Sequence, residues 1–192
     1  MLRECELSKR TTRAARSRPR AAVKRSHLRP VHRQSSPAQR DELARWDEFE
    51  DNLAVEVGKR NVGLQKRPPF DTARGYLKRQ VYRYICERLD QKAGVSLQWC
   101  IEEAREGHLP RRPSFRDNPF HWALLGLQNR PELNLKKGEI SRFGRQLLYA
   151  RRHKVPAHFL VGFIYQTGSP TLINRRVADD EREPWYGTLG SS

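Results

Sequence analysis

The sequence has no stretch approaching the ~20 consecutive apolar residues that a helix needs to cross a membrane. It therefore reads as a chain with no membrane among its partners. Three cysteines, Cys5, Cys86 and Cys100, cannot form a paired disulfide framework, and none stands in a C-x-x-C pair. This argues against both a secreted cystine scaffold and a structural zinc module. The first 40 residues contain no continuous apolar segment of the kind a secretory signal uses. Alternating apolar and polar runs are missing and β-branched residues are scattered, so a sheet has little to build on. Only Thr171 to Val177 is expected to form a short strand or hairpin arm.

Patterns that carry catalysis are also missing. There is no G-x-x-x-x-G-K-[ST] loop, no G-x-G-x-x-G turn, and no H-x-H or H-E-x-x-H pair. Nucleotide binding through glycine loops and metal ligation by paired histidines are thus unsupported. No cofactor, metal or catalytic residue is expected. Cys86 and Cys100 fall on apolar helix faces and read as packing residues, and His121, inside an apolar run, as a hydrogen-bonded core histidine.

What the sequence does have is positive charge. Its 192 residues hold 38 Lys+Arg against 22 Asp+Glu, a formal net charge of +16 and a pI near 10.5. Residues 1–40 carry 12 basic side chains and only Glu4 and Glu6 as acids. Residues 41–56 reverse the sign, with seven acids and Arg45, and the remainder is again basic, with 25 cations against 13 acids. The body would stay basic without its leader. Residues 1–36, with Arg13, Arg16, Arg18, Arg20, Lys24, Arg25, Arg29 and Arg33 among Ser, Ala and Pro, are too poor in apolar side chains to offset the entropy of ordering. They are expected to be a disordered arm able to run along phosphates; an inert leader or a targeting segment is the alternative. Residues 179–192 are expected to be a flexible C-terminal tail.

Between these ends, residues 37–178 read as one mainly α domain of about six helices. Ser36-Pro37 opens the first, with Leu43, Trp46, Phe49, Leu53 and Val57 as its apolar stripe and Gly58 near its end. Its acidic residues, 41–56, form a solvated face, or one that shields the basic body or docks a partner. Asp71 caps a second helix running to about Lys92. Its inner face is Leu77, Val81, Tyr84, Ile85 and Leu89, and its outer face carries Arg74, Lys78, Arg79 and Arg83 with Tyr76 and Tyr82 nearby. Ser96 opens a third helix, stopped at Gly107. A Pro/Arg loop with Arg111, Arg112 and Arg116 follows, and Asn118-Pro119 begins a short helix apolar nearly all round, which predicts a central position.

The densest signal lies in residues 136–177. One helix with the inner face Ile140, Phe143, Leu147 and Leu148 is surrounded by Lys136, Lys137, Arg142, Arg145, Arg151, Arg152 and Lys154. Val155-Pro156 breaks it and starts another through Phe159, Leu160, Val161, Phe163, Ile164 and Tyr165. The pair, over 139–167, resembles a helix-turn-helix: Ala150 matches the small inner residue, Val155 the apolar turn residue, and Leu160 and Phe163 the buried positions. Lys154 stands where that pattern carries Gly, and His153 where it carries an apolar residue. The outward positions of the second helix are expected to be Pro156, Ala157, His158, Val161, Gly162 and Tyr165, of which only His158 and Tyr165 hydrogen-bond well. Base reading in a major groove is therefore poorly provided for; the pair reads rather as a buried helical hairpin with basic edges, and contacts to phosphates and shape are expected.

Two enzyme resemblances end short of a catalytic set. Tyr149, Ala150, Val155-Pro156 and Gln166-Thr167-Gly168 resemble a helical segment of lytic transglycosylases, but Thr167 stands where that family has its catalytic Glu. His108-Leu109-Pro110-Arg111 resembles the H-x-x-R of tyrosine recombinases, with Tyr149 or Tyr165 left as nucleophile.

The expected function is non-enzymatic nucleic-acid binding, DNA ahead of RNA because most aromatics face the core. The expected contacts are Arg111, Arg112, Lys136, Lys137, Arg142, Arg145, Arg151, Arg152, Lys154, His158, Arg175 and Arg176, with Arg74, Lys78, Arg79 and Arg83 as a second basic face. The location would be intracellular, cytoplasmic or nucleoid-associated. The alternative is an assembly or adaptor module docking a protein on the apolar helices 119–128 and 156–166 or on the acidic helix; an unfamiliar nuclease or transferase is a distant third.

Overall fold

Ser36 starts the first helix as its residue type suggests: its Oγ accepts from the Gln39 N–H at 3.2 Å while the Gln39 side chain accepts from the Ser36 N–H at 2.8 Å, a reciprocal cap with Pro37 just inside. The computed structural model describes residues 35–62, 67–106, 108, 113–167, 170–179 and 183. The described residues are mainly helical: α1 Pro37–Asn61, α2 Ala73–Asp90, α3 Gly94–Ala104, α4 Pro119–Gly126 with a 3-10 turn Leu127–Asn129, α5 Lys137–Arg152, α6 Leu160–Gln166 and α7 Pro170–Ala178. The basic arm at residues 1–34, the loop holding Arg111 and Arg112, and residues 180–182 and 184–192 of the C-terminal tail lie outside them.

Seven helices stand where about six are expected. The extra one is α7, formed by the segment that reads as a strand. Its β-branched Thr171, Ile173 and Val177 carry only a local preference. The helix sets Ile173 into the core beside α5, and tertiary burial outweighs propensity there. Thr72, not Asp71, caps α2, accepting from the Gly75 N–H at 3.0 Å and donating to the Pro69 carbonyl at 2.8 Å. That turn folds back so closely that a Cβ on Gly75 would lie 2.1 Å from the Pro69 oxygen, so no larger residue fits. α1 runs through Gly58 to Asn61, and α3 begins at Gly94, two residues before Ser96.

α4 occupies the centre. Phe120, Trp122, Ala123, Leu124 and Leu127 are buried, and the Trp122 indole donates to the Pro113 carbonyl at 2.8 Å. Asn118 caps it, accepting from the His121 N–H. α5 packs on α4 with Gly144 against His121, whose backbone would lie 3.0–3.2 Å from a Cβ at residue 144. With only His121 and Leu125 of α4 half-buried and the rest buried, the 119–128 helix offers little surface to a docking partner.

The acidic helix also departs from its expected role. Glu42 and Glu50 sit on the buried side of α1, each 1% exposed. Glu42 accepts from the Arg88 Nε at 2.8 Å and from its Nη2, and Arg130 Nε reaches Glu50 at 3.1 Å while its Nη2 pairs with Asp51. These carboxylates are spaced by eight residues, in step with Trp46, Leu53 and Val57. They face inward and tie α1 to α2 and to the turn after α4, while Asp41, Glu48 and Asp51 remain exposed.

Among the described residues no helix is long and apolar enough to cross a membrane.

Candidate nucleic-acid interface

The amphipathic pattern of α5 decides where its cations go. Ile140, Phe143, Gly144, Gln146, Leu147 and Ala150 are buried, and at ~100° per residue the remaining arc presents Arg142, Arg145 and Arg152 on one side. Arg142 and Arg145 are exposed, and Arg152 is half-buried. From Arg142 to Arg152 the band is ~15 Å long, ten residues at ~1.5 Å each. Lys136 and Lys137 are exposed at its N-terminal end. Residues 140–178 contain seven Lys+Arg and no Asp or Glu, so the only carboxylate on α5 or α6 is that of Glu139 in the first turn of α5, and none lies along the chain between Arg142 and Arg152.

Lys78 of α2 joins it. Its ammonium lies 4.8 Å and the Arg142 guanidinium 5.2 Å from the centre of the same Phe143 ring. Burial, reinforced by Arg142 and opposed by Glu139, brings the Lys78 pKa down to about 8. The unfolded chain therefore holds more protons at this site between pH ~8 and the ordinary lysine value, so its contribution to stability rises with pH across that window and is a constant penalty below it. Lys78→Met is expected to raise the urea midpoint at pH 7, and the gap to the wild type should shrink between pH 8 and 10. A gap that stays constant across those pH values would mean that Lys78 keeps its ordinary pKa.

At the C-terminal end of the band lies an open cleft of about 570 Å³ between α2, α3, the 113–119 segment and α5. Leu89, Val95, Phe115, Pro119 and Leu148 make its apolar floor, and Lys92, Arg116, Arg151 and Arg152 its basic lining, with no acid among them. Arg151 also pairs with Asp90 at 2.8 Å. Lys92 is absent from the residues predicted to bind. It is a single lysine past a helix end, and its position over the cleft follows from a left-handed turn, φ 59°, that no local pattern announces.

Not every expected cation reaches this surface. Arg74 donates to the Leu133 carbonyl at 2.6 Å, the Asn134 carbonyl at 2.9 Å and Glu139 at 3.0 Å, pinning α2 to the loop before α5. Arg176 pairs with the buried Glu183, and Arg175 lies 3.8 Å from Asp179. Arg74 and Arg176 are held by internal partners, whereas Arg175 is exposed and its contact with Asp179 is long. On α2, Arg79 lies beside Tyr76, Arg83 is exposed with Gln80, and Tyr82 is buried, donating to the Val155 carbonyl at 2.8 Å. Arg111 and Arg112 lie outside the described residues.

The turn between α5 and α6 accommodates both departures from the helix-turn-helix pattern. Lys154 adopts φ 52°, the left-handed geometry that the usual Gly provides. His153 is buried, with Nδ1 2.9 Å from the Tyr149 carbonyl and Nε2 accepting from the Glu183 N–H at 2.7 Å, so the ring carries its proton on Nδ1. Lys154→Gly is expected to leave stability unchanged or raise it by up to ~1 kcal/mol, while lowering the salt slope of DNA binding by ~0.9. Thermal melts and a salt titration measure the two effects separately.

The second helix is shorter than its sequence suggests. Residues 157–159 form a turn and α6 begins only at Leu160. That change buries Val161 and turns Phe159 outward, the reverse of the expected pattern. The exposed positions are Pro156, His158, Phe159, Gly162, Tyr165 and Gln166, with Lys154 at the turn.

No protein-family model, curated protein or solved structure matches this chain. Arg111 and Gly168 of the two enzyme-like motifs lie outside the described residues; Tyr149 and Thr167 lie within them. Tyr149 is buried, donates to Glu183 at 2.9 Å, and has its pKa pushed up to about 12 by burial and that bond; a phenol so placed is a poor nucleophile. Thr167 is buried and donates to the Ile164 carbonyl. His121 is half-buried, its pKa lowered by burial and by Arg145.

Proposed function

We propose that this protein binds nucleic acid without catalysing a reaction on it, holding phosphates along α5 and in the cleft at its end. The observation that carries the reading is the basic band on α5, in which Glu139 at the N-terminal end is the single acid of that helix. Arg142, Arg145 and Arg152 share one face, Lys78 and Lys136–Lys137 extend it, and the cleft with Lys92 and Arg116 continues it. A folded surface of this kind lowers the free energy of a polyanion by releasing condensed counterions. The contacts are to backbone rather than base edges, because guanidiniums spread over ~15 Å match a phosphate track and no cluster of amides or carboxylates accompanies them. DNA is the proposed partner, and the basic residues 1–36 add contacts that are sequence-independent.

Internally paired Arg74 and Arg176 contribute to the long-range field but not to direct phosphate contacts, and the exposed Arg175 is weakened as a contact by Asp179. Six to ten phosphate contacts imply a ~10³–10⁵-fold fall in affinity between 50 and 200 mM salt. The test is a salt titration of fluorescent duplex DNA, single-stranded DNA and RNA, with the full chain and with a chain beginning at Pro37. The truncated chain is expected to bind with a shallower but still steep slope. If it binds none of the probes even at low salt, the folded surface is not a nucleic-acid site and the reading is lost.

A further inference from the structure

Two large aromatic side chains on the α6 face are not used by the fold: Phe159 is 63% and Tyr165 68% exposed. On the opposite side of the same helix Leu160, Val161, Phe163 and Ile164 already seal the core. Between the two rings in helical order stands Gly162, with no atom within 4 Å of where its Cβ would be, so nothing divides the surface. The His158 ring lies 4.0 Å from that of Phe159, tilted 51° to it, and adds a third ring to the surface. Lys154 is exposed at the preceding turn, and residues 140–178 contain no Asp or Glu. An apolar, aromatic surface in such a basic setting complements a ligand that is both flat and anionic.

We propose that Phe159 and Tyr165 stack unpaired nucleobases, so that the protein holds a single-stranded segment whose phosphates lie toward Lys154 and the α5 band. The inference rests on the nucleic-acid reading above and specifies which form of the polymer is bound. Every base offers a π-face, so this recognition tolerates sequence and adds to the phosphate contacts without needing hydrogen-bond readout. It also accounts for the polar poverty of α6: stacking needs rings, whereas base reading in a groove needs amides and charges. The core-facing majority of aromatics that put DNA ahead of RNA on sequence grounds does not include this pair: Tyr165 is outward as expected, and the late start of α6 brings Phe159 to the surface beside it.

The test compares three fluorescent probes: oligo-dT, an abasic oligomer of the same length, and duplex DNA. Wild-type protein is expected to bind oligo-dT more tightly than the abasic strand. Phe159→Ala and Tyr165→Ala should each weaken oligo-dT binding by about 5- to 150-fold, leaving the abasic and duplex affinities, the salt slopes and the thermal midpoint unchanged. The proposal is overturned if the variants bind oligo-dT like the wild type, or if they lose all three probes equally. It is also overturned if sedimentation shows a wild-type dimer that Phe159→Ala dissociates, which would assign the face to self-association. Wild-type protein that binds no probe would overturn the nucleic-acid reading itself, an outcome distinct from binding that is indifferent to bases.

Discussion

Arg88→Ala is expected to destabilise the fold by ~3–5 kcal/mol, a large share of the ~5–15 kcal/mol that holds a domain together. Glu42 is almost entirely buried in the contact between α1 and α2, and Arg88 supplies two hydrogen bonds to its carboxylate. Once that guanidinium is removed, only the Tyr84 hydroxyl at 3.4 Å and the largely exposed Arg45 at 3.9 Å remain near the charge. The Trp46–Phe49–Tyr84 aromatic cluster, whose Phe49 and Tyr84 rings stack at 4.1 Å, packs in the same α1–α2 contact. The pair itself contributes little net stability, since its mutual attraction is offset by the desolvation of both ions. The double variant Glu42→Leu/Arg88→Met is accordingly expected to recover most of the loss. Urea unfolding of the two variants measures this. An Arg88→Ala protein within ~1 kcal/mol of the wild type would show that Glu42 reaches solvent, and the α1–α2 contact would then rest on apolar packing alone.

The helical class, the α1 cap, the central position of α4 and the inner face of α5 were all legible because each depends on local spacing. An apolar residue every three or four positions determines a buried face wherever the helix lies. What was not legible depends on partners distant in sequence. Glu42 and Glu50 look like solvent-facing acids until Arg88 and Arg130, 46 and 80 positions on, arrive beside them. Arg74 looks like a free cation for the same reason, its partners lying 59 to 65 positions on. The α7 segment reads as a strand by residue type, and its helical state comes from the α5 surface it covers. The interface shows the same division. Arg142, Arg145 and Arg152 were identifiable as a candidate surface from α5's own period. Lys92 required a turn, and the exposure of Phe159 required a helix that starts four residues later than Val155-Pro156 suggests.

The band on α5 then predicts a specific pattern of loss. Arg142→Gln/Arg145→Gln is expected to reduce the salt slope of duplex binding by ~1.8, two contacts at ~0.9 each, and to weaken affinity about fivefold per contact at 0.15 M salt. Arg142→Glu/Arg145→Glu should go further, because each new carboxylate also repels the phosphate it faces, and binding at that salt should fall beyond detection. Neither pair is expected to shift the thermal midpoint downward, since both side chains are exposed and neither has a carboxylate partner within ion-pair distance among the described residues. Removing Arg142 also relieves one of the forces that lower the Lys78 pKa, so stability should if anything rise slightly at pH 7. The matched control is Arg175→Gln/Arg176→Gln, which removes the same formal charge from guanidiniums already facing Asp179 and Glu183. If net charge alone governs binding, the two pairs lose affinity equally. If the α5 band is the phosphate track, the Arg142/Arg145 pair loses slope and affinity together, and the control keeps its slope.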